Sequence, residues 1–201
     1  MKRCPWCKSS QQYIDYHDKE WGVPVFKDRK LFEFLTLETA QAGLSWSTIL
    51  KRRENYRKAY ENYDIEKVAS FDSSKKEKLL NNEGIIRYKL KIDASINNAK
   101  QFLKIQSEYG SFANYLWSFT DFKPVVNEWK EISEVPAESK LSKTIAADLK
   151  KKGFKFVGSV TIYAYLQAVG VINDHLTDCF RYQEIINNYE DKFSNKFKDK
   201  Q

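Results

Sequence analysis

The sequence predicts an all-α fold, and three observations lead to that prediction. Only 7 glycines and 4 prolines interrupt the 201 residues, so few of the breaks that strands and tight turns require are present. Apolar residues recur at helical spacing in several runs, of which the longest extends from about residue 88 to residue 109. Ser or Asp residues precede several of these runs, as helix N-caps do.

The predicted helices follow one another with short breaks. Residues 41–44 and 82–87 are breaks that contain glycine, and residues 121–137 are predicted to form an extended connector. Asp28, Ser45 and Asp64 are expected to cap the helices that they precede. The predicted helices cover residues 28–38, 45–50, 52–63, 65–70, 74–82, 88–109, 112–119, 142–152 (or from 139) and 160–169.

Length and composition suit one folded domain. With 42% hydrophobic and 15% aromatic residues, the chain can bury a core. We expect one helical domain over residues 1–180 and a charged tail over residues 181–201, in which aromatic residues at a spacing of four suit a loosely attached helix. The formal charge of +7 permits a polyanionic partner.

The sequence lacks the patterns of membrane spans, signal segments and coiled coils. There is no long uncharged apolar run and no signal-like segment, so we expect no membrane span and a cytoplasmic location. The lack of coiled-coil heptads leads us to expect a monomer.

Histidine and cysteine are concentrated near the two ends of the chain. Cys4, Cys7 and His17 lie within the first twenty residues, whereas His175 and Cys179 lie near the far end. Residues four apart share one face of a helix, as His175 and Cys179 would. Because structural zinc takes four nitrogen or sulfur ligands, the sequence predicts a Zn²⁺ site. The predicted ligands are Cys4, His17, His175 and Cys179.

Cys7 leaves two alternatives open. The spacing of Cys4 and Cys7 is that of half a zinc knuckle or of a redox pair. Cys7 is therefore the runner-up ligand, and a disulfide between Cys4 and Cys7 is the other alternative. An odd count of 3 cysteines without an export signal favours metal over disulfide chemistry.

Three stretches point towards nucleic acid, although packing or solvation explains each of them equally well alone. The helix–turn–helix around residues 83–87 would offer backbone N–H groups to phosphate. Residues 150–155 read Lys-Lys-Lys-Gly-Phe-Lys, a cationic run. The loop at residues 41–46 has an apolar tip of the kind that unstacks duplexes.

Glu38 and Trp46 are the candidates for recognising a base. Their spacing of eight residues would place both at the mouth of one pocket. A carboxylate accepts hydrogen bonds from a base and favours a cationic one, and aromatic rings add about 0.5–2 kcal/mol per contact by stacking and cation–π attraction. The alternative for Glu38 is a helix-terminal residue in solvent. With both histidines assigned to zinc, no histidine remains as a general base.

Six motifs follow one another in order between residues 1 and 180. They are Cys4-x-Trp6, Tyr13-x-x-Tyr16-His17-Asp18-x-Glu20-Trp21-Gly22-Val23-Pro24, Leu37-Glu38-x-x-Gln41-Ala42-Gly43-Leu44-Ser45-Trp46, Gly84-Ile85-Ile86-Arg87, Lys151-Lys152-Gly153-Phe154-Lys155-Phe156-Val157-Gly158 and Asn173-Asp174-His175. In this order and spacing the chain resembles the 3-methyladenine DNA glycosylase I family. Two features depart from the family pattern, namely the additional thiol of Cys7 and the sequence that follows Cys179.

The resemblance implies a helix-hairpin-helix DNA glycosylase whose structural zinc uses the four ligands predicted above. It implies flipping of the damaged base out of alkylated double-stranded DNA and attack of water at C1′. The products would be free 3-methyladenine and an abasic site, without strand cleavage. A zinc-stapled DNA-binding module without catalysis is the alternative. The site residues that the resemblance implies are Glu38 and Tyr16 for catalysis, Trp46, Tyr13, Trp21 and Trp6 around the base, Gly43 and Leu44 in a DNA-inserting loop, and Gly84, Ile85 and Arg87 in the hairpin.

Overall fold

Helices dominate the computed structural model, which describes residues 1–193, and the predicted all-α class is confirmed. Two short strands, β1 (Val125–Val126) and β2 (Ile172–Asn173), pair in parallel. Single 3-10 turns occur at Pro5–Ser9, Glu61–Tyr63 and Ile132–Glu134. The helices are α1 (Gln11–Lys19), α2 (Asp28–Gln41), α3 (Trp46–Ala59), α4 (Ile65–Ala69), α5 (Ser73–Leu80), α6 (Lys89–Tyr109), α7 (Phe112–Ser118), α8 (Lys140–Lys151), α9 (Ser159–Ala168) and α10 (Phe180–Phe193).

The chain forms two compact units. Unit 1 comprises residues 1–25, 117–137 and 166 onward, and unit 2 comprises residues 26–116 and 138–165. The expectation of one domain over residues 1–180 stays a prediction. The first part of the expected tail forms α10, in which Ile185 is buried, and residues 194–201 lie outside the described residues.

Unit 2 is built around α6, the longest helix of the described chain. This helix packs against α2, α4 and α5. Its Phe102 ring stacks on Phe112 with centroids 4.0 Å apart and meets Phe32 edge-on at 5.5 Å. These rings are fully buried, so aromatic packing holds α2 and the start of α7 against α6.

Two predicted helices are one helix in the structure. The sequence predicted separate runs over residues 45–50 and 52–63, whereas α3 is continuous from Trp46 to Ala59. Ser45 begins it as predicted, because its side chain accepts a hydrogen bond from the Thr48 N–H at 3.3 Å. No glycine or proline interrupts this stretch, so the backbone ladder continues.

The predicted cap at Asp28 is wrong. Asp28 is the first residue of α2, and no side chain caps that helix. The Asp28 carboxylate instead accepts hydrogen bonds from the backbone N–H groups of Phe112 and Ala113, at 2.8 and 2.9 Å. It therefore satisfies the open N–H groups at the start of α7, a long-range role that local spacing does not reveal.

The predicted connector over residues 121–137 contains no α-helix, but only β1 in it is a strand, and turns, bends and one 3-10 turn make up much of the rest. β1 pairs with β2 in unit 1, Val125 lying opposite Ile172 and Val126 opposite Asn173. None of the helices within residues 1–193 is long and apolar enough to cross a membrane.

Gly170 joins two distant segments of unit 1. Its φ angle is +71°, and a Cβ atom there would lie 2.3 Å from the Val23 carbonyl carbon. Beside it, the Val25 N–H donates to the Val169 carbonyl oxygen at 3.0 Å. Only glycine allows both this backbone conformation and this close approach.

We expect Gly170→Ala to lower the free energy of unfolding by more than about 2 kcal/mol, because strain at positive φ adds to the overlap with Val23. The measurement is chemical denaturation. Gly158→Ala is the control, because a Cβ atom at Gly158 meets no atom within 4 Å. Equal stability of the two variants would contradict the requirement for glycine at position 170.

Candidate functional site

Two cysteines and two histidines of unit 1 converge on one point. The ligand atoms of Cys4, His17, His175 and Cys179 all lie within 4.8 Å of one another, and all four residues are buried. The Cys179 Sγ atom is 3.4 Å from His17 Nε2 and 3.6 Å from His175 Nδ1. Tetrahedral zinc, with bonds of about 2.3 Å to sulfur and 2.0–2.1 Å to nitrogen, separates such ligands by about 3.6 Å. The four residues therefore fit a tetrahedral metal ion.

His175 and Cys179 converge without sharing a helix, so that part of the prediction is wrong. β2 ends at Asn173, and α10 begins only at Phe180. The Asn173 Oδ1 atom accepts a hydrogen bond from the His175 N–H at 3.2 Å, a side-chain turn that competes with helix formation. The Cys179 N–H then donates to the Leu176 carbonyl at 2.8 Å, and this turn brings the thiol back towards His175.

Hydrogen bonds fix which ring nitrogen of each histidine faces the group. His17 Nδ1 lies 2.8 Å from the Asp18 carboxylate, and that carboxylate is held in turn by the Arg3 guanidinium at 2.9 Å. His175 Nε2 lies 3.0 Å from the Trp21 carbonyl oxygen. These partners leave Nε2 of His17 and Nδ1 of His175 for a metal, the arrangement that holds metal-binding histidines in other proteins.

Cys7 lies beside the group and outside it. It is fully buried, and its thiol donates to the Cys4 carbonyl oxygen at 3.2 Å. All three cysteines are free thiols in the structure. Cys7 therefore has a partner of its own, and of the two N-terminal cysteines it is Cys4 whose sulfur faces the group, 3.7 Å from His175 Nδ1.

The predicted aromatic walls in unit 1 form one cluster. The Trp6 ring meets Tyr13 at 5.2 Å, Tyr16 at 6.4 Å and Trp21 at 4.9 Å between centroids. Trp21 also packs edge-on against His175 at 4.6 Å. Trp6 and Trp21 thus pack directly against the metal-binding histidines, whereas Tyr13 and Tyr16 pack on Trp6.

Glu38 is buried in unit 2, near the end of α2. It is 3% exposed, and within residues 1–193 its Oε2 atom has no hydrogen-bond partner. Burial raises the pKa of the carboxyl from its usual 4.5 to about 8. Polar groups in protein interiors are normally paired, so Glu38 carries an unpaired buried oxygen that a hydrogen-bond donor could satisfy. The alternative of a solvent-facing Glu38 is excluded.

The break between α2 and α3 forms an exposed loop, as the sequence predicts. α2 ends at Gln41, and Gly43 has a φ angle of +80° with no atom within 4 Å of a Cβ position. Leu44 is 39% exposed at the tip of the loop. Ser45 then caps α3, whose first residue is the partly buried Trp46. An apolar side chain is thereby held out towards solvent.

The predicted hairpin at residues 84–87 connects α5 to α6 in unit 2. Ile85 is buried, whereas Arg87 is exposed. A Cβ atom on Gly84 would lie 2.9 Å from the Asn55 side chain on α3. The glycine is therefore needed for internal packing of this turn.

A second helix–turn–helix lies between α8 and α9, where the sequence predicted two helices and a cationic run but no phosphate-binding turn. A Cβ atom on Gly158 would face open space, so the backbone at the start of α9 can be approached by a ligand. The side-chain amide of Asn98 on α6 holds the backbone of Lys155. It accepts a hydrogen bond from the Lys155 N–H at 2.8 Å and donates one to the Lys155 carbonyl oxygen at 2.9 Å. The sequence signal was a basic run that ends in Gly158 just before an apolar helix.

A family model and a curated relative both relate this chain to methyladenine glycosylases. The sequence model of the family described as methyladenine glycosylase matches residues 6–182. A DNA-3-methyladenine glycosylase of Haemophilus influenzae is 44% identical over 177 residues, which are 88% of this chain and 96% of that protein.

Two solved structures resemble this one over nearly their whole length. A crystal structure of 3-methyladenine DNA glycosylase I is 45% identical, with a TM-score of 0.86 over 89% of this chain and 98% of the other. The second is a variant of 3-methyladenine DNA glycosylase I in complex with 3-methyladenine. It is 36% identical, with a TM-score of 0.87 over 90% of this chain and 98% of the other.

The raised pKa of Glu38 predicts a pH-dependent effect on stability. Between pH 4.5 and about 8 the folded state keeps a proton that the unfolded chain has lost, so the stabilisation is complete below 4.5 and is lost as the pH rises through 8. Glu38→Gln removes this titration. We expect the melting temperature of the variant minus that of the wild type to increase from pH 5 to pH 9.

The control is Glu54→Gln, in which an exposed carboxyl is removed whose pKa is lowered by its hydrogen bond to Arg57. Its difference from the wild type should not increase over the same pH range. If the difference in melting temperature between Glu38→Gln and the wild type does not change with pH, Glu38 is not a buried, protonated group.

Proposed function

The chain belongs to the methyladenine glycosylase family, and we propose that it excises 3-methyladenine from alkylated double-stranded DNA by hydrolysing the N-glycosidic bond. The observation that carries this proposal is the buried Glu38 carboxyl with its open oxygen. A group of this kind costs stability, so a fold retains it where a ligand needs it.

Glu38 supplies discrimination between the lesion and normal adenine. Methylation at N3 makes the adenine of the nucleotide cationic, and the buried carboxyl ionises when such a cation comes close. Two unit charges about 4 Å apart attract by about 4 kcal/mol at an effective dielectric constant of 20. A neutral adenine gains nothing comparable, so it is not held long enough for its stronger glycosidic bond to break.

Base flipping brings the lesion to this carboxyl. The cost is a few kcal/mol and is smallest for a damaged base. We assign insertion into the base stack to Leu44 and the close approach of the backbone to Gly43, because the loop holds an exposed apolar tip. Trp46 is assigned to stacking on the base, and Tyr16 and the other aromatic residues of unit 1 keep the base-binding role that the family resemblance implies.

Bond cleavage then needs little further help. The methylated base leaves with the electron pair of the C1′–N bond and so becomes neutral, and water adds to C1′ of the sugar and releases a proton to solvent. The products are free 3-methyladenine and an abasic site. No amine is assigned to attack the sugar, so the reaction is monofunctional and leaves the strand intact.

The duplex is bound through its phosphates by helix–turn–helix connections of unit 2. The connection at residues 152–158 supports this role through its open backbone at Gly158 and its exposed Lys150, Lys151 and Lys155. Residues 84–87 remain the hairpin that the sequence predicts, although packing against Asn55 already explains Gly84.

The Cys4, His17, His175 and Cys179 group holds a structural Zn²⁺ ion in this proposal. Two sulfur and two nitrogen donors at tetrahedral spacing support it. With four protein ligands and no open position, the ion would supply a cross-link and no step of the reaction. Monomeric state and cytoplasmic location stay predictions of the sequence.

A zinc-stapled DNA-binding module without catalysis is the second candidate. It accounts for the metal-binding group, the basic connection and the exposed loop. It gives no reason to bury a carboxyl that lacks a partner, and Glu38 therefore favours the enzyme.

Metal analysis of the purified protein is expected to find about one zinc ion per chain, because four donors fit one tetrahedral ion. Cys179→Ser should lose the metal and melt at a lower temperature. Cys7→Ser is the matched control and should keep both, since this thiol lies outside the group. Loss of zinc on Cys7→Ser, with retention on Cys179→Ser, would overturn the ligand set.

Glu38→Gln is expected to release 3-methyladenine from methylated duplex DNA at least about tenfold more slowly than the wild type, because the amide cannot carry the negative charge that a cationic base favours. Chromatography of the released bases measures this. Glu54→Gln removes an exposed carboxyl and should behave like the wild type. No release by the folded, zinc-loaded wild type would leave the DNA-binding module as the better account.

A further inference from the structure

Lys91, in the first turn of α6, buries its amine against the end of α2. It is 9% exposed, and its Nζ atom donates hydrogen bonds to the carbonyl oxygens of Ala40 at 2.8 Å and Ala42 at 2.6 Å. The last carbonyls of a helix lack partners within the helix and carry partial negative charge. A buried ammonium group at this position therefore satisfies both carbonyls and the charge together.

These two carbonyls form the stem of the exposed loop. Ala42 directly precedes Gly43, which has a φ angle of +80° and open space around it. Within the loop, the Leu44 N–H donates to the Gln41 carbonyl at 2.6 Å. Lys91 adds a tie from a different helix, and it fixes the residue from which the flexible glycine and the exposed leucine continue.

Lys91 is itself firmly anchored in unit 2. The Ser95 hydroxyl donates to the Lys91 carbonyl at 2.9 Å, one turn further along α6. The ammonium lies 6.0 Å from the ring of Tyr88, the residue that precedes α6. Burial lowers the pKa of Lys91, as expected for an amine removed from water. The long helix α6 thus serves as the fixed support for the stem of the loop.

We propose that Lys91 is a positioning residue that holds the loop at residues 42–45 in the conformation that enters DNA. Inserting an apolar side chain into a base stack separates neighbouring bases and costs their stacking free energy. A loop that is disordered in the free protein would also lose conformational entropy when it inserts. Lys91 removes that cost in advance, so it acts on loop insertion and leaves the affinity for undamaged duplex unchanged. This inference rests on the inserting role assigned to Leu44 under the proposed function.

The test uses the zinc-loaded full chain and a duplex that carries 2-aminopurine beside a stable abasic-site analogue. Insertion of the loop unstacks the probe and raises its fluorescence. The variants are Lys91→Met, which keeps an unbranched apolar side chain and removes the ammonium group, and Lys91→Arg, which keeps the positive charge. Lys100→Met removes an exposed lysine of the same helix and is the control.

Lys91→Met is expected to lower the insertion equilibrium constant at least about fivefold, with affinity for undamaged duplex within about twofold of the wild type. Lys91→Arg should restore part of the signal, and Lys100→Met should match the wild type. If Lys91→Met is too unstable, Lys91→Gln, which keeps a shorter donor, replaces it. Circular dichroism establishes that each variant is folded at the temperature of the assay.

A double-variant cycle with Leu44→Ala separates positioning from general stabilisation. If Lys91 acts through the loop, Leu44→Ala has little further effect on insertion once Lys91→Met is present. Independent effects that multiply, or normal insertion by folded Lys91→Met, would overturn the inference. The fluorescence assay involves no bond cleavage. If the protein inserts its loop in this assay but releases no base in the chromatographic assay, the proposed excision is refuted while the role of Lys91 stands.

Discussion

A carboxyl group held in the protein interior with one unpaired oxygen is the feature on which the proposed function depends. Glu38 lies on α2 among buried side chains, and burial keeps it protonated well above its usual range. Keeping such a group costs free energy, which the aromatic packing of α2 against α6 offsets. In the proposed function a cationic alkylated purine supplies the partner that this carboxyl lacks.

Unit 1 depends on a different constraint, the convergence of two segments that are far apart in sequence. The four metal-binding residues, the hydrogen bonds that orient their rings and the close approach at Gly170 all join the first 25 residues to those after 166. A zinc ion at this point would reinforce contacts that the protein already makes. In the proposed function such an ion would hold unit 1 together and take no part in bond cleavage.

Local patterns revealed much of the fold, and long-range contacts decided the rest. Helix boundaries at Ser45 and Asp64 follow from short-range capping, and the four residues that converge were predicted from the positions of cysteine and histidine near the two chain ends together with the ligand preference of zinc. The turn between His175 and Cys179 escaped prediction because the Asn173 side chain, and no periodic pattern, sets it. The burial of Glu38 was equally hidden, since it depends on helices that lie far from it in sequence.

The most direct test of the account is the pKa of Glu38, followed by carbon-13 NMR of the side-chain carboxyl in free protein and in protein saturated with 3-methyladenine. The account predicts titration near pH 8 in the free protein. It also predicts a clear decrease when the base is bound, because hydrogen bonds donated by the base favour the ionised form. Titration near 4.5 in the free protein would contradict the central claim, and a pKa that the bound base leaves unchanged would show that the base does not contact Glu38.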